Sequence, residues 1–287
     1  MINFSFIIPH KNIPDLLQKA LDSIPRRNDV EIIVVDDNSD PETTDFSHFP
    51  GINDPSVQVV FTKEGKGAGY ARNIGLEKAS GKWILFCDAD DFYTDKISFF
   101  LDEYNDSDAD IVLWKTCSID FDTGNPSHRG ETLNEFVDEG IATGNFSNTL
   151  LISCPVKGMY SSAFLVRHNI RFNESHWGND VVFSTKVAVS TQKVVASDLV
   201  VYCISCHSKF GLYSNPSLES TLIRFQQEAE SIRIARKRFN GNPNIHRWFF
   251  DTWIAVYKHS KFQAIKLLFT AVISDKSHFI KEAFKAL

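Results

Sequence analysis

Between residues 88 and 110 the 287-residue chain sets nine carboxylates, at 88, 90, 91, 95, 102, 103, 106, 108 and 110, against Lys96 alone. The first two stand as Asp88-Ala89-Asp90, directly after the apolar run Trp83-Ile84-Leu85-Phe86. On an extended segment, residues i and i+2 share a face, so both carboxylates would look into one space. Left alone they repel each other. A hard divalent cation relieves that repulsion and can in turn neutralise a diphosphate. The alternative is a solvated loop whose aspartates cap the following helix.

Other polar groups fall at comparable places. Asp36-Asp37-Asn38 ends a β-branched run, and a carboxylate there can accept from a nucleobase N–H or a ribose hydroxyl, or brace its own turn. Gly65, Gly67 and Gly69, with Lys63, Lys66 and Arg72, make a flexible basic approach to a helix start, where amide donors suit phosphate. This is not the dinucleotide fingerprint, because the spacing differs and the segment does not follow the first strand. Asp180, in Trp177-Gly178-Asn179-Asp180, stands ahead of an apolar helix as either its cap or a general base for a hydroxyl nucleophile. His207 follows the last short strand and reads as a metal ligand, a phosphate contact or a surface histidine.

The elements that must hold these groups alternate. Phe4–Ile8 reads as a strand ending at Pro9, and Ile13, Leu16, Leu17, Ala20, Leu21 and Ile24 recur at helical spacing. Glu31–Val35, Val57–Phe61 and Trp83–Phe86 are further strands, with a helix over Ala68–Lys78. Such alternation gives an open α/β sheet that binds ligand at the carboxyl ends of its strands. Beyond it the pattern predicts a helix near 97–104, a strand at Asp110–Trp114, a helix at Glu131–Glu139 and a strand-turn-helix over Val156–Ile170. A buried helix at Val181–Val189 and two short strands within Lys193–Val201 follow. Leu222, Phe225, Ala229, Ile232, Ala235 and Phe239 then mark a long amphipathic helix closed by Gly241-Asn242-Pro243, with two or three helices after it.

Composition narrows the function. A chain 43% hydrophobic and 23% charged is neither disordered nor a coiled coil. A net charge of −6 gives no general attraction to nucleic acid. No run reaches the roughly 18 apolar residues that cross a bilayer, the best being Ala264–Ile273 with Lys266 inside it. The start at Met1 has no basic leader, and Cys87, Cys117, Cys154, Cys203 and Cys206 lack a second metal-like pair. They read as packing thiols in a reducing, cytoplasmic compartment. Lys258–Leu287 holds six lysines against two acids, interleaved with aromatic and aliphatic residues. That pattern suits either a helical packing or homodimer face, or peripheral contact with the inner face of the cytoplasmic membrane.

Taken in order, the motifs resemble a known family. Pro9-His10-Lys11-Asn12 is similar to its Pro-x-Tyr-Asn opening, Val34–Asp40 to its second loop, Ala71-Arg72-Asn73-x-Gly75 to its nucleotide-side helix, and Phe86-x-Asp88-Ala89-Asp90-Asp91 to its Asp-x-Asp region. Arg171-Phe172-Asn173-Glu174 with Asn179-Asp180 resembles the acceptor-side segment. The family is glycosyltransferase family 2, inverting enzymes of the GT-A fold, and the resemblance spans about residues 3 to 210.

That resemblance implies a GT-A nucleotide-diphospho-sugar transferase fold, a mostly parallel sheet flanked by helices. It divides into a catalytic domain over 1–212 (nucleotide half 1–115, acceptor half 116–212) and a helical region over 213–287. It implies that Pro9, Asn12 and Asp37 line the nucleoside pocket, Lys66 and Arg72 lie beside the nucleotide, and Asp88 and Asp90 hold Mn²⁺ or Mg²⁺. Asp180 becomes the base for a single inverting displacement from a nucleoside-diphosphate sugar, by family habit a UDP-sugar, onto a glycan or lipid-linked acceptor of surface polysaccharide such as capsule or lipopolysaccharide. The Gln-x-x-Arg-Trp motif of processive synthases is absent, which favours addition of single sugars. A sugar-phosphate nucleotidyltransferase is the rival enzyme class, but Pro9–Leu16 lacks its glycine-rich loop. An inactive carbohydrate-binding protein of the same fold would have no reason to keep Asp88, Asp90 and Asp180 together.

Overall fold

A computed structural model describes residues 1–206, 217–246 and 249–274. In chain order the first half contains β1 (Phe4–His10), α1 (Pro14–Asp22), β2 (Val30–Asp36), β3 (Val57–Phe61), α2 (Ala68–Lys78) and β4 (Trp83–Phe86). Next come β5 (Phe92–Tyr93), α3 (Ile97–Tyr104), β6 (Ile111–Asp120), α4 (Glu131–Thr143), α5 (Ser147–Leu151), β7 (Gly158–Ser161), α6 (Ser162–Arg167), α7 (Asn179–Ser190) and β8 (Val194–Cys206). The helices α8 (Leu218–Phe239), α9 (Phe249–His259) and α10 (Lys261–Ser274) complete the described chain.

One eight-stranded sheet runs in the order β3-β2-β1-β4-β7-β6-β8-β5. β1 lies parallel to both β2 and β4, and β2 to β3, so the chain winds one way from β1 and then returns to its other side. The carboxyl ends of β1, β2 and β4 therefore open side by side at a topological switch point. β7 is inserted antiparallel between β4 and β6, and β5 is antiparallel to β8 at the far edge. β1 is buried along its whole length because strands flank it on both sides, which its apolar composition anticipates.

Two strands differ from expectation. β1 continues through Pro9 to His10. Cys87 N–H donates to the Ile7 carbonyl, and the β4 ladder stops at Ile7. Pro9, facing the same way two residues on, lies past the ladder and needs no N–H. β8 is one 13-residue strand rather than two short ones. The breaks implied by its sequence are register shifts against β6 around Leu113–Thr116, which bend the strand without ending it.

Large aromatic residues fill the core, with Phe86 and Tyr160 both packing edge-on against Phe183. Phe172 and Phe183 stack at 3.9 Å, fixing the segment before α7 to α7 itself. Burying each such ring is worth ~2–3 kcal/mol. α2 sits close to β1 because of Gly75, where an added Cβ would lie 2.3 Å from Ile7 Cγ2. The position thus explains one residue of the α2 motif by packing alone.

Candidate active site

At the ends of β1 and β2, His10 and Asp36 form a buried pair, Nδ1 to Oδ1 at 2.8 Å. Ile13 N–H donates to His10 Nε2, so that nitrogen is bare and Nδ1 carries the proton toward Asp36. Asp36 also accepts from the Ser39 amide and hydroxyl. Burial alone would raise its carboxyl, but the bonds from His10 and Ser39 outweigh that and hold it below its ordinary value. His10 and Asp36 therefore tie two strand ends together. Pro9 is buried beside them. Asn12 adopts a left-handed backbone (φ 61°) and accepts from the Asp40 amide and the Thr43 hydroxyl, bracing the loop after β2.

Asp37 is 2% exposed and faces the glycine-rich loop. It accepts from the Lys66 amide at 3.1 Å and the Gly67 amide at 2.6 Å, so it anchors the approach to α2. Lys66 itself reaches outward, with Nζ 4.0 Å from Glu174 and 4.8 Å from the Tyr70 ring centroid. At Gly69 an added Cβ would come within 2.2 Å of the Asn173 carbonyl, so only glycine lets α2 begin this close to the acceptor-side segment.

Arg72 ties the two sides of the site together. One guanidinium nitrogen donates to Asp88 Oδ1 at 2.5 Å and another to Asn179 Oδ1 at 2.9 Å, while the group stacks 5.2 Å from the Phe172 ring. Its buried Nε has no partner among the described residues. The neighbouring Asn73 pairs twice with the Phe172 backbone, donating to its carbonyl and accepting from its amide, both at 3.0 Å. The Ala71-Arg72-Asn73 motif thus locks residues 172–179 onto α2.

Behind Asp88 lies a residue that sequence reasoning missed. The Asp88 amide donates to the Tyr202 hydroxyl at 3.0 Å, and that hydroxyl donates to Asp91 at 2.9 Å. Asp91 also accepts from the Ser205 amide. A tyrosine inside an apolar strand reads as core, so only the β8–β5 pairing exposes its role. Burial first, and then the charge of Asp88, push Asp90 up to about 6, with Arg129 and Arg72 opposing. Two carboxylates one residue apart, the charge of one raising the proton affinity of the other and both hard oxygen donors, fit a divalent cation. Among the described residues no three His, Cys, Asp or Glu side chains converge as an ion cage, so such a cation would need further ligands from a bound substrate. His207 lies outside the described residues.

Asp180 occupies the first turn of α7, whose N-cap is Gly178 in a left-handed conformation with no side-chain cap. The capping alternative is thus not what the structure shows. Asp180 is half-buried. Burial raises its carboxyl, Arg72 opposes, and Asp88 adds to the rise. Asp88, Arg72 and Asp180 therefore share one electrostatic neighbourhood at the sheet's carboxyl edge, whereas Asn12 is occupied in bracing the loop after β2 and Asp37 in anchoring the approach to α2.

Known proteins resemble this chain in sequence and fold. The family model described as Glycosyl transferase family 2 matches residues 5–170. A Campylobacter jejuni GalNAc(5)-diNAcBac-PP-undecaprenol beta-1,3-glucosyltransferase is 29% identical over 187 residues, 63% of this chain and 58% of that protein. The chain spans about half the length of the curated relatives it matches. Staphylococcus aureus TarS 1–349, crystallised with UDP-GlcNAc, superposes over 98% of this chain and 78% of its own, with a TM-score of 0.65 at 19% identity. A Pyrobaculum calidifontis mannosyltransferase, PcManGT, solved with GDP-Man and Mn²⁺, covers 99% of this chain and 78% of its own, with a TM-score of 0.56 at 17% identity. The fold is the GT-A fold of these structures, and with more than half of its residues matched by the family model, the chain belongs to glycosyl transferase family 2.

Proposed function

We propose that this chain is an inverting glycosyltransferase that moves one sugar from a nucleoside-diphosphate sugar to a hydroxyl of a glycan or lipid-linked acceptor in surface polysaccharide synthesis. The observation that carries the reading is the Asp88–Arg72–Asn179 chain, which couples the strand-end carboxylates to the helix bearing Asp180. TarS is solved with UDP-GlcNAc and PcManGT with GDP-Man, which supports a nucleoside-diphosphate sugar as the donor here, with a UDP-sugar the first choice. The Campylobacter relative is named for an undecaprenol-linked glycan, which supports a lipid-linked acceptor here.

In this reading the β1–β2 loops carrying Pro9, Asn12 and Asp37 shape the nucleoside side, and Lys66 and Arg72 border the diphosphate. Asp88 and Asp90 would hold a divalent cation, Mn²⁺ or Mg²⁺, which when bound supplies charge neutralisation for the departing diphosphate. Asp180 accepts the proton of the acceptor hydroxyl at Oδ as that oxygen attacks the anomeric carbon from the face opposite the leaving group. The C1–O bond to the acceptor forms as the C1–O bond to the diphosphate breaks, so configuration inverts. The GT-A unit is assigned to 1–212 and the helical region to 213–287.

The place of action in this reading is the cytoplasmic side of the membrane. Among the described residues no helix is long and apolar enough to cross a bilayer. Calorimetry of UDP binding with and without Mn²⁺ tests the nucleotide side. Asp90→Asn is expected to remove the Mn²⁺-dependent part of the affinity, and equal Mn²⁺ dependence in variant and parent contradicts the assignment.

A further inference from the structure

Five cysteines lie among the described residues, all of them free thiols. Two of them face each other. β6 and β8 run parallel in unbroken register from Thr116 opposite Tyr202 to Asp120 opposite Cys206, and within that run Cys117 is the partner of Cys203. Partners in such a ladder turn their side chains to the same face. Neighbouring strands lie about 4.8 Å apart, inside the roughly 4.4–6.8 Å that separates the Cα atoms of a disulfide. The backbone therefore already stands at bridging distance.

The two thiols are not equivalent. Cys117 is partly open to solvent, whereas Cys203 is 2% exposed. The facing Cys203 thiol holds Cys117 below its ordinary value, with burial opposing. Cys203 is pushed the other way, by Cys117 first and then by burial. Cys154 and Cys87 are poor nucleophiles, since burial pushes the first up to about 12 and the second well above its ordinary value. An accessible nucleophile with a second thiol held at its side is what thiol–disulfide exchange requires. The pair also adjoins the support of the active site. On its other side Cys203 pairs with Phe92 of β5, the residue after Asp91. Tyr202 and Ser205 of the same strand bond Asp91, and the Tyr202 hydroxyl also accepts from the Asp88 amide.

We propose that Cys117 and Cys203 form a reversible thiol–disulfide site, oxidised by exchange with small-molecule disulfides, through which β8 loosens its hold on Asp91 and Asp88. The Cys117 thiolate attacks one sulfur of the small disulfide, that S–S bond breaks, and one thiolate leaves with the electron pair. With the negative charge on Cys117 gone, Cys203 gives its proton to water and attacks Cys117 Sγ, expelling the second thiolate. Two protein thiols are oxidised, and the small disulfide is reduced to two thiols. Drawing β8 toward β6 at residue 203 pulls on Tyr202, whose hydroxyl joins Asp91 to the Asp88 amide. The effect on turnover rests on the reading of Asp88 and Asp90 as the cation site, whereas the disulfide itself does not. In a reducing compartment such a bond is transient, which suits a sensor.

Incubating the full chain with oxidised glutathione, alkylating the remaining thiols and mapping peptides by mass spectrometry tests the site. The parent is expected to yield peptides linked through Cys117 and Cys203, and dithiothreitol to release them. Cys203→Ser is expected to stop at a glutathione adduct on Cys117, and Cys117→Ser to leave Cys203 unmodified. Turnover of a UDP-sugar with Mn²⁺ by the oxidised parent is expected to fall about tenfold or more and to recover on reduction, while Cys117→Ser keeps its turnover in oxidised glutathione. Absence of the linked peptides from the parent overturns the proposal, whatever the variants do. Linked peptides with unchanged turnover overturn the coupling to Asp88. A reduced parent that turns over no nucleotide sugar overturns the transferase reading and the coupling with it, while the linked peptides still decide the disulfide, so the two failures are told apart.

Discussion

Arg72 meets Asp88 at 2.5 Å with its own side chain only 6% exposed, while Asp88 keeps 36% of its surface open. The buried cation is thus a fixed part of the protein, and the carboxylate it touches is the part that faces the cleft. Because the same guanidinium also bonds Asn179, one side chain holds α2, the end of β4 and the start of α7 in register.

A lysine at this position keeps the charge but cannot fork to two acceptors. Arg72→Lys is expected to reduce sugar transfer by ~10²-fold or more and to cost ~1–3 kcal/mol of stability, since the half-buried bond to Asp88 is weakened and Asn179 loses its donor. Urea unfolding and turnover measured side by side check this. Parental values of both would show that the bridge is incidental.

Acid should expose the His10–Asp36 tie. The Asp36 carboxyl is held below its ordinary 3.8 in the folded chain. The folded state therefore binds fewer protons there than the unfolded one, and the stabilisation is complete above 3.8 and is lost as pH falls through the lower folded value. Asp36→Asn is expected to unfold about 1–3 kcal/mol more easily at neutral pH and to show a shallower loss of stability on acidification. Denaturant melts from pH 7 to 3 give both numbers, and an unchanged acid slope would refute the tie.

Much of this was legible in the sequence because local chemistry and tertiary position agree. α2 spans Ala68–Lys78 as its spacing predicts, and Asp88-Ala89-Asp90 stands at a strand end as the apolar run before it requires. What was not legible depends on pairing across long separations. Nothing local places β7 between β4 and β6, or announces a two-residue strand at Phe92–Tyr93 that pairs with Cys203 and Tyr202. Tyr202 was hidden for that reason.

The C-terminal helices carry a test of the membrane reading. Val256 and Ala264 pack toward α8, whereas Ile254, Tyr257, Phe262 and Ile265 stay exposed, Phe262 at 75%, close to Lys258 and Lys261. Apolar side chains beside lysines suit an anionic lipid surface. The full chain is expected to co-sediment with liposomes rich in anionic lipid at low salt, and a chain truncated after Tyr257 to lose most of that binding. No sedimentation of the full chain at low salt would leave the face to protein contact.

The central claim is that Asp180 serves as base in transfer from a nucleotide sugar bound beside Asp88 and Asp90. The most direct measurement is release of nucleoside diphosphate from a panel of UDP-, GDP- and dTDP-sugars with Mn²⁺, comparing the parent with Asp180→Asn. The parent is expected to turn over at least one donor, and Asp180→Asn to bind that donor as well as the parent while releasing diphosphate ~10²–10⁴-fold more slowly. Equal rates from the two proteins would contradict the claim.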